Sequence, residues 1–157
     1  MSSGRAREEM RPRNPRRALL VPVLIVLLGL ALRLFGIGRE SLWFDEAMTV
    51  ALARAPIADA LPHLARQEFH PPLYFWLAWV WMKLVGGADW QARLLSALLG
   101  TLSIVAAHVL AGRLFDRRTA DLSALLVAIS QVLVYYSQEA RPYAASLFAF
   151  LCAAVLL

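Results

Sequence analysis

The sequence predicts an all-α, polytopic integral membrane protein with about four transmembrane helices and a helical external first loop. Three observations carry that prediction. The 157 residues are 60% hydrophobic and 17% charged, with a mean hydropathy of +0.58; a soluble domain holds roughly 25% charged residues. The apolar residues come in runs, at 18–37, 94–114, 120–136 and 144–157. The arginines gather beside those runs rather than being scattered along the chain.

Residues 1–17 are polar, carry six arginines (Arg5, Arg7, Arg11, Arg13, Arg16, Arg17) and contain Pro12 and Pro15. They read as a disordered cytoplasmic tail. An arginine block next to a span is a topology signal that stays inside. The net charge of +5 is therefore a membrane feature. No nucleic-acid motif is present, and no nucleic-acid partner is expected. Cys152 is the single cysteine, so there is no disulfide framework and no multi-cysteine metal site.

Residues 18–157 form the predicted membrane domain. The run 18–37 has 20 residues and one charge, Arg33, enough for a helix to cross about 30 Å of hydrocarbon. A cleaved signal peptide is the competing reading, but the run lacks a small-x-small cleavage site. Arg33, near the far end, is expected to snorkel to the interface. An external loop, 38–90, follows. Helices are expected at 46–54 and 57–68, with Asp45 as N-cap of the first and Pro56 between them. PPLYFWLAWVWMKLV, residues 71–85, is short for a span and rich in interfacial aromatics, so it reads as an interfacial or re-entrant helix. The runs 94–114, 120–136 and 144–157 complete the spans, with GRLFDRR (112–118) and YSQEARPY (136–143) as polar breaks.

The charge bias orients this arrangement. With 71–85 lying in the interface, the tail and Arg113, Arg117 and Arg118 are all cytoplasmic, as the positive-inside rule requires. The same arrangement brings Asp45/Glu46, His70 and Glu139/Arg141 to the outer surface of the cell (inner or plasma) membrane. The chain stops inside an apolar run, so the expectation is an N-terminal portion of a longer protein, with poor activity in isolation.

Three clusters carry possible chemistry. Asp45 and Glu46 follow Trp43 and Phe44 at the bilayer edge. An N-cap and a first-turn acid would account for such a pair. A carboxylate at a poorly solvated edge also gains basicity, which suits a general base. His70 precedes two prolines, which fit either a plain helix start or an imidazole held to touch phosphate or metal. Glu139 and Arg141 form either an exposed turn or a grip on an anionic head group, for which the planar guanidinium is suited. His63 and His108 carry no functional reading.

The order FDEA (44–47), HPPLYFWL (70–77), RLLSALLG (93–100), GRLFDRR (112–118) and YYSQEARPY (135–143) resembles the N-terminal part of the C-type (GT-C) membrane glycosyltransferases. The likeness is to the protein-mannosyltransferase and aminoarabinose-transferase branch and covers about residues 20–157. It implies transfer of a sugar from a polyprenyl-phosphate carrier to a lipid, glycan or protein acceptor on the external face. By that resemblance Asp45 is the base that takes the acceptor proton. Glu46 orients the site or joins a metal. His70, Arg141 and Glu139 attend the donor phosphate. A divalent metal is a possible cofactor, but the sequence offers no closed ligand set and none is assigned. Two departures leave sugar and acceptor open: the aminoarabinose-type enzymes have lysine where His70 stands, and several relatives carry aspartate shortly after the arginine matching Arg141. The reading from a different class is a non-catalytic membrane partner, or a carrier or flippase for polyprenyl-linked lipids. The effect of Asp45→Asn on turnover separates the two.

Overall fold

A computed structural model describes residues 15–56, 58 and 72–157. The tail up to residue 14, the expected loop helix at 57–68, His63 and His70 lie outside the described residues. Within them the chain is all helical: α1 (Pro15–Leu34), α2 (Phe44–Arg54), α3 (Pro72–Val85), α4 (Asp89–Leu114), α5 (Arg117–Ile129), α6 (Gln131–Ser137) and α7 (Tyr143–Leu156), with no strand among the described residues.

The packing follows from side-chain size. α4 is the hub, in contact with α1, α3, α5, α6 and α7. Its buried positions are mostly small, among them Ala92, Ser96, Ala97, Gly100, Ser103, Ala107 and Ala111. Small residues let helix backbones approach closely where no hydrophobic gradient drives association. The large apolar side chains point the other way. Leu19, Leu20, Leu24 and Leu27 of α1 and Leu122 and Leu126 of α5 are exposed, while Arg33, Glu46, Ser96 and Arg93 are buried. This inverts the pattern of a soluble core and suits a hydrocarbon surround.

α4 has 26 residues, about 39 Å at 1.5 Å per residue, and is the one described helix that is long and apolar enough to cross a membrane unaided. α5 and α6 meet that test only as a pair, bent by 58°. α1, α3 and α7 have shorter apolar stretches, at Leu19–Leu34, Leu73–Val85 and Tyr143–Leu156.

Three local expectations are corrected. The first span ends at Leu34 rather than at 37, because Gly36 turns the chain with φ +78°, a conformation open to glycine at little cost. Arg33 does not snorkel. It is fully buried and donates to Ser137 Oγ at 3.2 Å and to the carbonyls of Gly29, Ala128 and Val127 at 3.0, 3.2 and 3.1 Å. The third correction explains this choice. The 120–136 run is not one helix but breaks at Ser130, and a break orphans the last carbonyls of α5. Arg33 supplies their donors.

The same contacts give the chain's direction. The end of α1, the start of α4, the end of α6 and the start of α7 share one end of the bundle: Arg33 bonds Ser137, Arg93 bonds the carbonyls of Ile37 and Glu40, and Ser96 bonds the Arg141 carbonyl. At the other end Arg113 of α4 donates to Val155 O of α7. α3 has 14 residues, about 21 Å, less than the hydrocarbon thickness. It packs on α2 and α4, burying Tyr74, Ala78 and Met82.

Candidate active site

Two adjacent acids in one helical turn point about 100° apart, so they meet different surroundings. α2 begins at Phe44 with Trp43, not Asp45, as its N-cap. Asp45 and Glu46 both fall in the first turn, where the helix dipole favours negative charge. The cap is served from the third position instead: Trp43 N donates to Glu46 Oε2 at 3.4 Å.

Glu46 is 1% exposed. Arg93 Nε donates to its Oε1 at 2.8 Å and Arg93 Nη2 to its Oε2 at 2.6 Å. The Ala140 amide donates to Oε1 at 2.8 Å. An ionised carboxylate has about four lone-pair sites, and these four donors occupy them. Arg93 is equally consumed. Its other N–H groups donate to the carbonyls of Ile37, Glu40 and Ser41 at 3.0, 2.8 and 3.2 Å. One pair therefore ties α2, α4, the loop after α1 and the turn before α7. Burial works against the charged form of Glu46, and the hydrogen bonds from Arg93, Ala140 and Trp43 outweigh it, holding the carboxyl below its usual range. The arrangement leaves Glu46 no lone pair for a metal or substrate.

Asp45 faces outward, with 39% of its side chain accessible, and its Oδ2 lies 3.6 Å from Arg141 Nη2. The Arg141 side chain is 7% accessible, and its Nε is buried without a partner. The Arg141 backbone is held from below: its carbonyl accepts from Ser96 Oγ at 3.3 Å, and Ser96 Oγ shares a 2.8 Å bond with the Tyr74 hydroxyl. Burial, offset only in part by Ser96, pushes the Tyr74 phenol above its ordinary range and keeps it neutral.

Glu139 is the third carboxylate. It is 6% exposed and its Oε2 is buried with no partner. Burial raises its pKa, a hydrogen bond from Tyr135 lowers it in part, and the nearby Glu46 charge raises it further. Glu139 and Glu46 line a cleft of about 510 Å³ between the loop after α1 and the end of α6.

The structure thus brings together Asp45, Glu46, Glu139 and Arg141, four of the five residues singled out in the sequence; His70 lies outside the described residues. Arg93, Tyr74 and Ser96 were given no role there. Arg93 left one signal: a lone arginine near the start of an apolar helix needs an anion, but the sequence offers Asp89 four residues away and gives no sign that the partner is Glu46, 47 residues away. Among the described residues, no group of three or more His, Cys, Asp or Glu side chains stands ready to hold a metal ion.

A family model described as dolichyl-phosphate-mannose-protein mannosyltransferase matches residues 69–157. The match takes in Arg93, Glu139 and Arg141 and begins after the acidic pair. Nothing among curated proteins or solved structures matches the chain. The matched segment covers more than half the sequence, and the chain belongs to the dolichyl-phosphate-mannose-protein mannosyltransferase family, a family of membrane glycosyltransferases of the C type.

Proposed function

We propose that this chain builds the acceptor-activating part of an enzyme that moves a sugar from a polyprenyl-phosphate carrier to an acceptor on the external membrane face. The observation that carries the reading is the contrast within the acidic pair. Glu46 is locked into the scaffold, while its neighbour Asp45 is left accessible beside the buried guanidinium of Arg141. Asp45 acts as general base on the acceptor hydroxyl. Glu46 is a positioning residue, fixing through Arg93 and the Ala140 amide the two segments that carry Asp45 and Arg141. Arg141, with an unpaired Nε and a fork suited to phosphate oxygens, stabilises the carrier phosphate as it leaves. Preorganised charge of this kind is often the largest catalytic contribution. His70 is proposed to assist at the same phosphate.

The membrane arrangement belongs to the same proposal. α1, α4, the bent α5–α6 pair and α7 alternate in direction, and α3 lies along the surface. The N-terminus is cytoplasmic, with Arg113, Arg117 and Arg118 on the same side. Because the donor's tail is lipid, its reacting carbon lies at the interface. The acids therefore stand where the helices emerge.

The test is release of polyprenyl phosphate from polyprenyl-phosphate-mannose by the protein reconstituted in lipid, with and without Asp45→Asn. The proposal expects Asp45→Asn to lose about 10²–10⁴ in turnover, the usual worth of a general base, with donor binding retained. Unchanged turnover would return the chain to the carrier or scaffold reading.

A further inference from the structure

The turn from α4 to α5 carries charge that neither the fold nor the site above uses. α4 ends at Leu114 and α5 begins at Arg117. Arg113, Arg117 and Arg118 flank this short connection, and all three are exposed. Asp116 is the one acid in the turn, and it is committed: its Oδ1 accepts from the Thr119 amide at 2.8 Å and caps α5. The next acid, Asp121, faces His108 of α4 at 3.0 Å. Arg113 uses one of its five N–H donors on the Val155 carbonyl of α7. Among the described residues, Arg117 and Arg118 make no hydrogen bond or ion pair, beyond the attraction of Arg118 to the Asp116 charge. Folding alone does not ask for these two cations. They stand in the first turn of α5, where the helix dipole opposes positive charge. Asp116 already serves that helix start, so the start itself is not the binding group. A local rule broken with no contact in return marks a position that acts on something outside the chain.

The height of the turn on the bundle indicates the partner. Arg93 and Arg113 stand 20 residues apart on α4, about 30 Å at 1.5 Å per residue, which is the thickness of bilayer hydrocarbon. With Arg93 at one interface, the turn lies at the headgroup level of the other. Orientation during insertion accounts for positive charge there, but not for its neighbours. Leu114 and Phe115 are 64% and 69% exposed beside the arginines. The patch thus presents apolar groups to acyl chains and guanidinium forks to phosphate oxygens at once. A zwitterionic headgroup brings its own cation to the arginines, and a net-negative one does not. An acidic protein segment would meet the charges and leave the leucine and the ring unpartnered.

We propose that the α4–α5 turn binds the headgroup of an anionic phospholipid, with Arg117 and Arg118 on its phosphate and Phe115 in the acyl boundary. The proposal goes beyond the sugar-transfer reading and shares with it only the membrane arrangement.

The experiment uses the whole protein in nanodiscs of phosphatidylcholine and phosphatidylglycerol in equal parts. Native mass spectrometry reads how much of each lipid the protein retains. Arg5→Gln, Arg7→Gln, Arg11→Gln and Arg13→Gln, present throughout, remove the tail's own attraction for anionic lipid. This parent is expected to retain phosphatidylglycerol in preference, less so as salt rises. One arginine near an anionic surface is worth about fivefold in affinity, so Arg117→Gln with Arg118→Gln should weaken the preference by about 25-fold. Arg39→Gln removes an exposed charge beyond the other end of the bundle and should change it by less than about twofold, against about fivefold for Arg118→Gln alone. Melting temperature gives a second reading. In phosphatidylcholine alone the double variant should be at least as stable as the parent, because two cations leave the start of α5. In the mixed nanodisc the parent should gain stability from the lipid it binds, and the double variant should not. A nanodisc offers the same lipids on both faces and no sugar transfer is measured, so neither the orientation nor the Asp45 assignment decides the outcome. Equal retention of the two lipids by the parent would overturn the proposal and give the patch to an acidic protein segment. A preference untouched by the double variant, an equal loss with Arg39→Gln, or an equal gain in stability for parent and double variant would overturn it as well.

Discussion

Replacing Arg93 by methionine is the sharpest test of how the site is built. Arg93→Met keeps the apolar stem of the side chain and removes its guanidinium and charge. It leaves Glu46, 1% exposed, without the cation that meets both of its oxygens at 2.8 and 2.6 Å. It also strips donors from the carbonyls of Ile37, Glu40 and Ser41. Removing one partner of a buried ion pair costs about 3–5 kcal/mol. At roughly 2–4 °C per kcal/mol for a chain of this size, the melting temperature in nanodiscs should fall by roughly 6–20 °C. Pairing Arg93→Met with Glu46→Met should recover part of that loss, because no unpaired charge remains. A shift of only a degree or two for Arg93→Met would refute the claim that this pair anchors the site. A double variant as damaged as the sum of the singles would refute the pairing itself.

The remaining predictions concern charge and catalysis. Glu46 has a lowered carboxyl pKa when folded, so its contribution is present above the ordinary carboxyl pKa and is lost as the pH falls through the folded value; the stability gap between wild type and Glu46→Gln should close in acid, read by melting temperature against pH. Glu139 has the opposite sign. Its folded pKa is raised, chiefly by burial, so its contribution is present below the ordinary carboxyl pKa and is lost as the pH rises through the raised folded value, and Glu139→Gln should gain on wild type over that rise in the same scan. Arg141→Lys should raise the KM for the polyprenyl-phosphate donor by about tenfold, because an ammonium cannot reproduce the guanidinium fork; an unchanged KM would remove Arg141 from the donor site. Arg33→Met should leave the Val127 and Ala128 carbonyls without their side-chain donors and lower stability by about 1–3 kcal/mol, with faster hydrogen exchange around Ser130 if the break loosens.

Much of the fold was legible in the sequence because it depends on composition and period. Apolar runs gave helices, Pro56 stands just after the end of α2 at Arg54, and Gly86–Gly87 just after the end of α3 at Val85. The chemistry of the pair at 45 and 46 was legible only in part. Which acid faces out depends on a partner 47 residues away, Arg93, and on an amide 94 residues away, at Ala140. Local signals carry no such information. The same distance hid the role of Arg33: its partners at 127, 128 and 137 lie on a run that hydropathy reads as continuous. Asp45 illustrates a subtler failure. It is a good N-cap by residue type, but Glu46 reaches back to the Trp43 amide, and the helix starts two residues earlier, at Phe44.

The account stands on the acidic pair, its arginines and the cleft all sharing the external membrane surface. Its most direct test is labelling of single cysteines in intact cells with a membrane-impermeant thiol reagent. The background is Cys152→Ser, and the positions are Phe44→Cys beside the acidic pair, Tyr143→Cys at the start of α7 and Phe115→Cys at the opposite end of the bundle, all exposed. The account predicts labelling at 44 and 143 and protection at 115. Labelling at 115 with protection at 44 and 143 would put the site on the cytoplasmic face and contradict it.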